Sequence, residues 1–496
     1  MLTQDLREVA RQAMINAGFA PDYTPEMSAE IARIGKNPDA GASLKDLRNI
    51  LWSSIDNDDT RDLDQIEYAE ETSDGWRLMI AIADVDAEVP KGSAIDQHAA
   101  QQTTTVYTGA VIFPMIPTQL SEGATSLFAD ADRKAVVIDM RIGAGGSVTG
   151  ADIYRASVRN QAQLAYNAIG DWLDRGAAAP ARVATMNGLD AQLRLQAKIA
   201  AALRQTRVEN GALEIETVEA RAVSRDGKVT AIEKTEKNTA TDIIEDFMIA
   251  ANGAVARFLE SHHVSAIRRI VRNPERWNRI VDLAKEFGNT LPENPDPVAL
   301  HDFMMERRKA DPERFPDLSL AVVKLLGPGE YILDQPGVEE PGHFGLAVQD
   351  YTHSTAPNRR YADLVTQRVV KAVLAGAPPP YTDDELSAIA RNCTLKEDAA
   401  RKVEREVRKV AAAMLFSHRI GQRFQAIVTG KKPSGTFVRV VDPPVEGMLV
   451  RGAHGVDVGD EISVELLSTN PKRGFIDFGR VGSTPTPNPP GKKRHR

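Results

Sequence analysis

The feature that most restricts what this chain can fold into is the run at residues 76–85, WRLMIAIADV, which is almost wholly apolar and opens directly after the turn signal Thr72-Ser73-Asp74-Gly75. An apolar run of that length beside turn residues reads as a buried strand. Before the turn, Asp62, Asp64, Ile66 and Tyr68 alternate with their neighbours and are expected on one face of a partner strand, giving a hairpin whose second strand is buried. Two further strands, at 135–142 and 148–157, flank Gly143-Ala144-Gly145-Gly146 and make 50–160 strand-rich. With 496 residues, 42% hydrophobic and 26% charged, the chain has room for about three domains and a sizeable core. A disordered or fibrous chain is excluded.

From 160 to about 420 helical patterns dominate. A late helix at roughly 397–416 carries Val403, Val407, Val410 and Met414 as its apolar stripe, with Arg401, Lys402, Glu404, Arg405 and Arg408 off it. Residues 422–480 return to short strands at 424–429, 435–441, 447–450, 461–467 and 474–478, punctuated by Gly and Pro turns as in a small β-barrel. At the other end, Leu2, Leu6, Val9, Ala10, Ala13 and Ala17 are spaced as one helix, and 24–34, with Pro25 in its first turn, as a second. The pair reads as a small helical cap, with a helix-turn-helix-like start as the alternative. The tail 483–496, Pro-rich and then basic, is expected to be disordered. The fold class is α+β.

Lys and Arg number 61 against 69 Asp and Glu, a net charge of −8, so a polyanion partner would have to be held by local basic patches. The one cysteine, Cys393, removes intrachain disulfides and CxxC metal sites. The start MLTQDLREVARQ has no apolar core of a leader, and no stretch approaches the length of a spanning helix. A soluble protein of the reducing cytoplasm, with no membrane partner, is expected.

Between Ser53 and Ile66 stand five aspartates in nine residues, Asp56, Asp58, Asp59, Asp62 and Asp64. Carboxylates that dense either sit on a solvated loop or converge on hard divalent cations, which favour oxygen ligands. An EF-hand register would put Asp56, Asp58, Thr60 and Glu67 at loop positions 1, 3, 5 and 12, but Arg61 stands where the turn needs Gly. Asp84 and Asp86 form a DxD after an apolar strand, as in a haloacid-dehalogenase-like phosphatase, a weak match with no supporting acid or lysine motif.

Four segments in order change the weight of that loop: SIDNDDTRDLDQ at 54–65; IADV followed by FPMIP and LSEGATSL at 82–127; IIEDFMIAAN at 243–252; and HFGLAVQDYTHSTAPNRRYADL at 343–364. Together they resemble the catalytic domain of the ribonuclease II and ribonuclease R family, exoribonucleases that degrade RNA from its 3′ end. The resemblance runs from about Leu51 to Arg480 and implies domains at 1–45 (small, helical), 46–420 (catalytic) and 421–482 (an OB-fold RNA-binding barrel). It implies hydrolysis of single-stranded RNA to nucleoside 5′-monophosphates by magnesium, with manganese as the alternative, no nucleotide cofactor, and a monomer; the other reading is a catalytically silent RNA-binding protein of the same fold.

Carried over by position, Asp56, Asp62 and Asp64 match the family's magnesium-binding aspartates. Gln65 stands where the family usually has a fourth, and an amide brings no charge. Arg359 matches the arginine that holds the scissile phosphate, a role its planar fork suits; Arg360, expected to contact RNA, and Asp363 follow as in the pattern, whereas Ala356 and Asn358 replace the usual Ser and Ile. Glu404 takes the place of a glutamate near the metals. The catalytic set expected is therefore Asp64, Gln65, Arg359 and Glu404. Tyr166 aligns with a tyrosine that stacks on RNA, a contact of about 1 to 3 kcal/mol per base that is indifferent to sequence. Arg268 stands near a missing second aromatic, within the basic stretch VSAIRRIVRNPERWNRI, and in the barrel Phe437, Lys431 and Lys432 are the expected RNA contacts.

Overall fold

The apolar run forms the Gly75–Ala83 strand, central in a sheet ordered Trp52–Asp56, Gln65–Thr72, Gly75–Ala83, Asp132–Gly143. The turn between Thr72 and Gly75 is tight, and only glycine fits its second end: a Cβ on Gly75, at φ +148°, would lie 2.2 Å from the Ile142 carbonyl oxygen. A computed structural model describes residues 5–34, 44–216, 219–225, 228–235, 237–312 and 314–483 of the chain. The expected tail at 483–496 lies, apart from Ser483, outside the described residues.

The strand Val148–Ala165 is 18 residues long, beyond the expected end at 157. Its first part pairs antiparallel with Asp132–Gly143 and its last part parallel with Trp52–Asp56, so the sheet curls back on itself. Asn160 sits where the partners change; its buried amide donates to Ser54 Oγ and the Leu127 carbonyl, both at 2.9 Å, and its Oδ1 accepts from the Ala162 N–H. Those bonds satisfy groups that the switch takes out of the regular ladder. The parallel register ends at Asp56 opposite Ala165, and the helix Tyr166–Arg175 starts at the next residue.

Helices cover the sheet. Thr239–Ser261, opened by an Asn238–Thr241 capping box, buries Ile243, Phe247, Ala251 and Val255 in the main core. Its polar residues are used: Asp246 pairs with Arg204 and Arg207, and Asn252 Oδ1 accepts from the Ser354 N–H at 2.8 Å and its hydroxyl at 2.9 Å. Helical patterning missed two strand pairs in this region, Glu219–Arg225 with Lys228–Thr235, and Ala266–Ile270 with Glu330–Asp334.

The late helix is 34 residues long, Asp383–Phe416, and its stripe Val403, Val407 and Val410 packs on Leu6, Ala10, Ala13 and Met14 of the helix Leu6–Asn16. The second N-terminal helix, Pro25–Ile31, joins the main core through Met27, and Glu30 caps Ala94–Gln102 through the Ala94 and Ile95 N–H groups. The two helices thus pack as a cap on separate surfaces. No helix among the described residues is long and apolar enough to cross a membrane.

The last five strands, Arg423–Lys432, Gly435–Val440, Glu446–Arg451, Glu461–Asn470 and Phe475–Arg480, close a barrel, as their spacing predicts. Phe416, the final residue of the long helix, plugs one end against Phe424 and Phe478 at ring-centroid separations of 5.2 and 6.4 Å. Replacing Phe416, fully buried, by Ala is expected to cost about 3 to 5 kcal/mol and to free the barrel from the helix. Urea unfolding and limited proteolysis read both effects; a barrel equally protected in both proteins would contradict the plug.

Candidate active site

The aspartate loop departs from its expected form. The strand begins at Gln65, not Asp62, because buried Leu63 is tied elsewhere: its N–H donates to Ser126 Oγ and its carbonyl accepts from the Leu127 N–H. Asp62 and Asp64 therefore flank an anchored loop residue instead of alternating in a strand. Each carboxylate has its own support. Asp56 Oδ1 accepts from the Asn57 N–H at 2.7 Å and Thr60 Oγ1 at 2.9 Å; Asp62 Oδ2 accepts from the Tyr107 hydroxyl at 2.9 Å; Asp64 Oδ1 accepts from the Asn358 N–H at 2.9 Å.

Arg359 faces them from a second loop. Its backbone is held by an antiparallel bridge, the Thr105 N–H donating to the Arg359 carbonyl at 2.9 Å and the Tyr361 N–H to the Thr103 carbonyl at 2.8 Å. Its Nε lies 3.3 Å from Asp64 Oδ2. That oxygen is buried and accepts no hydrogen bond. Burial pushes the Asp64 carboxyl up to about 7 against the pull of Arg359 and the Asn358 N–H, and burial likewise raises Asp56.

Three further groups complete the wall. Glu404 accepts the Tyr107 N–H at 3.1 Å, so Tyr107 links that glutamate to Asp62, while the neighbouring Arg401 pairs with Glu397 instead. Tyr166 is half-buried beside the acids: burial, Asp56 and Glu67 all raise its phenol, and Arg359 opposes them. Glu67 is fully buried, and neither carboxylate oxygen has a hydrogen bond. Tyr107, Asn358 and Glu67 were not foreseen as site residues; Glu67 stands in a strand that also carries Gln65, Glu70 and Glu71, so an acid there gave no signal of its own.

Other expected contacts lie elsewhere. Arg268 is not a surface cation: it stands in the Ala266–Ile270 strand, 5% exposed, and pairs with Asp334 at 3.0 Å, because the strand pairing turns its side chain into a buried acidic niche. Arg360 caps the next helix and pairs with Asp363 at 2.7 Å. Gln65 is buried at the head of its strand, opposite Ile82. In the barrel, Val438 and Val440 face the core while Phe437 faces outward, half-buried, with Lys432 Nζ 5.8 Å from its ring centroid; Lys431 pairs with Asp457. The DxD acids are structural, since Asp84 is held by Arg155 and Lys371, and Asp86 by Arg368 and Lys371.

The donor set suits a hard divalent cation: carboxylate oxygens, one of them, Asp64 Oδ2, buried and unsatisfied. Among the described residues no three acidic, His or Cys side chains close into a ready cage. A magnesium ion here would be held by one or two of Asp56, Asp62 and Asp64 together with water and phosphate oxygens, its usual mode.

A family model described as RNB domain matches residues 44–376, and one described as RNase II-type exonuclease C-terminal S1 domain matches 422–481. The chain belongs to the RNB family. Ribonuclease R of Escherichia coli (strain K12) is 29% identical to this RNB chain over 490 residues, covering 92% of it and 59% of the relative; the chain spans about three fifths of the length of the curated relatives it matches. RNase R of Mycoplasma genitalium, solved in complex with ribose methylated single-stranded RNA, superposes with a TM-score of 0.86 at 20% identity, over 96% of this chain and 78% of that one. Yeast Ssd1, a pseudonuclease, does so with a TM-score of 0.67 at 14% identity, over 92% and 57%. The family and the α+β fold with a terminal barrel are as the four motifs imply.

In the metal-free RNB chain, the folded state holds a proton on Asp64 between about pH 4, the ordinary carboxyl range, and the raised value near 7. The unfolded chain has already released it, so this group's contribution to stability falls as pH rises through that window, by up to about 1.4 kcal/mol per pH unit. Buried His343 and His353, pushed down by burial, tilt the opposite way. Asp64→Asn keeps the histidine slope and removes the aspartate slope. Urea unfolding in EDTA at about pH 5 and 8 is expected to show the variant gaining relative to the parent at the higher pH; parallel profiles would mean that Asp64 ionises normally.

Proposed function

We propose that this RNB chain is a 3′-to-5′ exoribonuclease of the reducing cytoplasm, which hydrolyses single-stranded RNA to nucleoside 5′-monophosphates with magnesium, or manganese, as its ion. The observation that carries this reading is the buried, unsatisfied Asp64 oxygen facing Arg359 at the edge of a carboxylate cluster in a chain of this family. Support for the substrate comes from the Mycoplasma genitalium relative, whose structure holds single-stranded RNA.

Each residue has a part. Tyr166 offers a ring beside Asp56 on which a base stacks without regard to identity. Arg359, poised against Asp64, turns its guanidinium to two oxygens of the scissile phosphate, where charge grows during displacement. Asp56, Asp62 and Asp64 would hold the divalent ion, which when bound supplies positive charge for the phosphate and an activated water. Glu404 positions the Tyr107 backbone and, through the Tyr107 hydroxyl, Asp62. Phe437 and Lys432 on the outer face of the barrel, with Lys431, guide the RNA backbone by contacts that carry no base preference.

The second reading, an RNA-binding protein without turnover, is favoured by Gln65 in place of a fourth acid and by a fold that a yeast pseudonuclease shares. One experiment separates them. A 5′-labelled oligoribonucleotide incubated with magnesium or manganese is expected to shrink from its unlabelled end, and Asp64→Asn to bind the same RNA with little change while turnover drops at least about a hundredfold. RNA that is bound by the parent yet stays whole would establish the silent reading. Arg359→Lys keeps the charge but loses the fork, and single-turnover rates are expected to fall by roughly the same order; an unchanged rate would remove Arg359 from the phosphate.

A further inference from the structure

Two identical cations stand next to each other in the arginine loop, and they are paired differently. Arg359 Nε lies 3.3 Å from Asp64 Oδ2, whereas the Arg360 guanidinium is taken up by Asp363, its Nε donating to Oδ2 at 2.8 Å and its Nη2 to Oδ1 at 2.7 Å. The same Nη2 donates to Thr355 Oγ1 at 3.4 Å. Asp363 is 0% exposed, and its Oδ1 also accepts the Ala356 N–H at 2.8 Å, seven residues back. One carboxylate therefore grips both ends of the turn 356–360 from which Arg359 projects.

An acid in the first turn of a helix ordinarily has a local task. Asp363 is the third residue of Tyr361–Leu374, whose N-cap is Arg360, and there a carboxylate accepts the N-cap N–H or complements the helix dipole. Here the Arg360 N–H goes instead to the Ala356 carbonyl at 2.9 Å, joined by the Arg359 N–H at 3.2 Å. Asp363 thus serves the loop and not the helix end. Both polar groups of buried Ala356 are used, the carbonyl by the turn and the N–H by Asp363, and with Ala in place of the family's usual Ser no hydroxyl shares the work. A buried ion pair specifies one arrangement because breaking it strands a charge in the core. We infer that Asp363 is a positioning residue for Arg359: it withdraws Arg360 from competition for the phosphate and holds the turn that aims Arg359 at the cleft. The inference rests on the nuclease reading proposed above.

The test alters the pair from each side in the full chain. Asp363→Asn keeps an acceptor for the Ala356 N–H and removes the charge; Arg360→Lys keeps the charge and removes the fork. Affinity for a 5′-labelled oligoribonucleotide is read in EDTA by fluorescence anisotropy, and adding magnesium to the bound complex gives the single-turnover rate. Each variant is expected to cleave about 10- to 100-fold more slowly, with its RNA Kd within about threefold of the parent. In an Arg359→Lys chain the same changes are expected to slow cleavage by less than about threefold, because a residue that acts by aiming Arg359 has nothing left to aim. A rate loss that carries over in full to the Arg359→Lys chain overturns the inference and leaves a structural ion pair. So does an RNA Kd raised about tenfold at an unchanged rate, which would make Arg360 an RNA contact. If Asp363→Asn no longer melts cooperatively, Arg360→Lys decides between the same outcomes; loss of cooperative melting in both overturns the inference, since the pair then holds the fold and not the aim. In each of these cases a parent that cleaves leaves the nuclease reading standing, whereas a parent that binds RNA and leaves it whole overturns both.

Discussion

A single hydrogen bond closes the site. The N–H of Asn358 reaches Asp64 across 294 residues of sequence and, with the ion pair one residue on, fixes the acid loop against the arginine loop. Without it, two irregular segments would each have to hold a charged side chain in place alone. The Asn358 side chain reinforces the clasp by accepting from the Thr125 hydroxyl at 2.6 Å, within the segment that also anchors Leu63. An isoleucine there would keep the backbone donor and lose this cross-link, so the departure from the family pattern lends the loop a polar tie.

The clasp is precise because its bases are rigid. The helix Tyr361–Leu374, which begins where Arg360 ends the arginine loop, is buried along its first ten residues and ionically tied to the segment after the central strand: Arg368 to Asp86 and Asp96, Lys371 to Asp84 and Asp86. Buried ion pairs of this kind are weak contributors to net stability but strong specifiers of register, since each unpaired partner would be left charged in a core. The acids of the frame are compensated by cations, whereas at the site burial raises Asp56, Asp64 and Glu67 and so favours their neutral forms.

Much of this was legible in the sequence, for identifiable reasons. The hairpin, the terminal barrel and the late helix declare themselves by apolar period and turn residues, and the aspartates and Arg359 by their segments. What was not legible depends on long-range packing. Arg268 looked like a surface cation because its neighbours are basic, and only the pairing of Ala266–Ile270 with Glu330–Asp334 turns it toward Asp334. Asp62 and Asp64 looked like alternating strand positions because period alone does not reveal that Leu63 is held by Ser126 and Leu127. Tyr107 had no local signal at all; its hydroxyl matters because a two-residue strand carries it to Asp62 while its N–H meets Glu404.

The long strand that changes partners at Asn160 ends by setting Ala165 beside Asp56, and the aromatic ring of Tyr166 follows at once. The spacing between the Tyr166 backbone and that of Asp56 is therefore written into a backbone ladder. Such a ladder behaves as a ruler with a fixed graduation. On the function proposed above, an RNA end would advance against that mark, and the length of piece removed at each step would become a property of strand register.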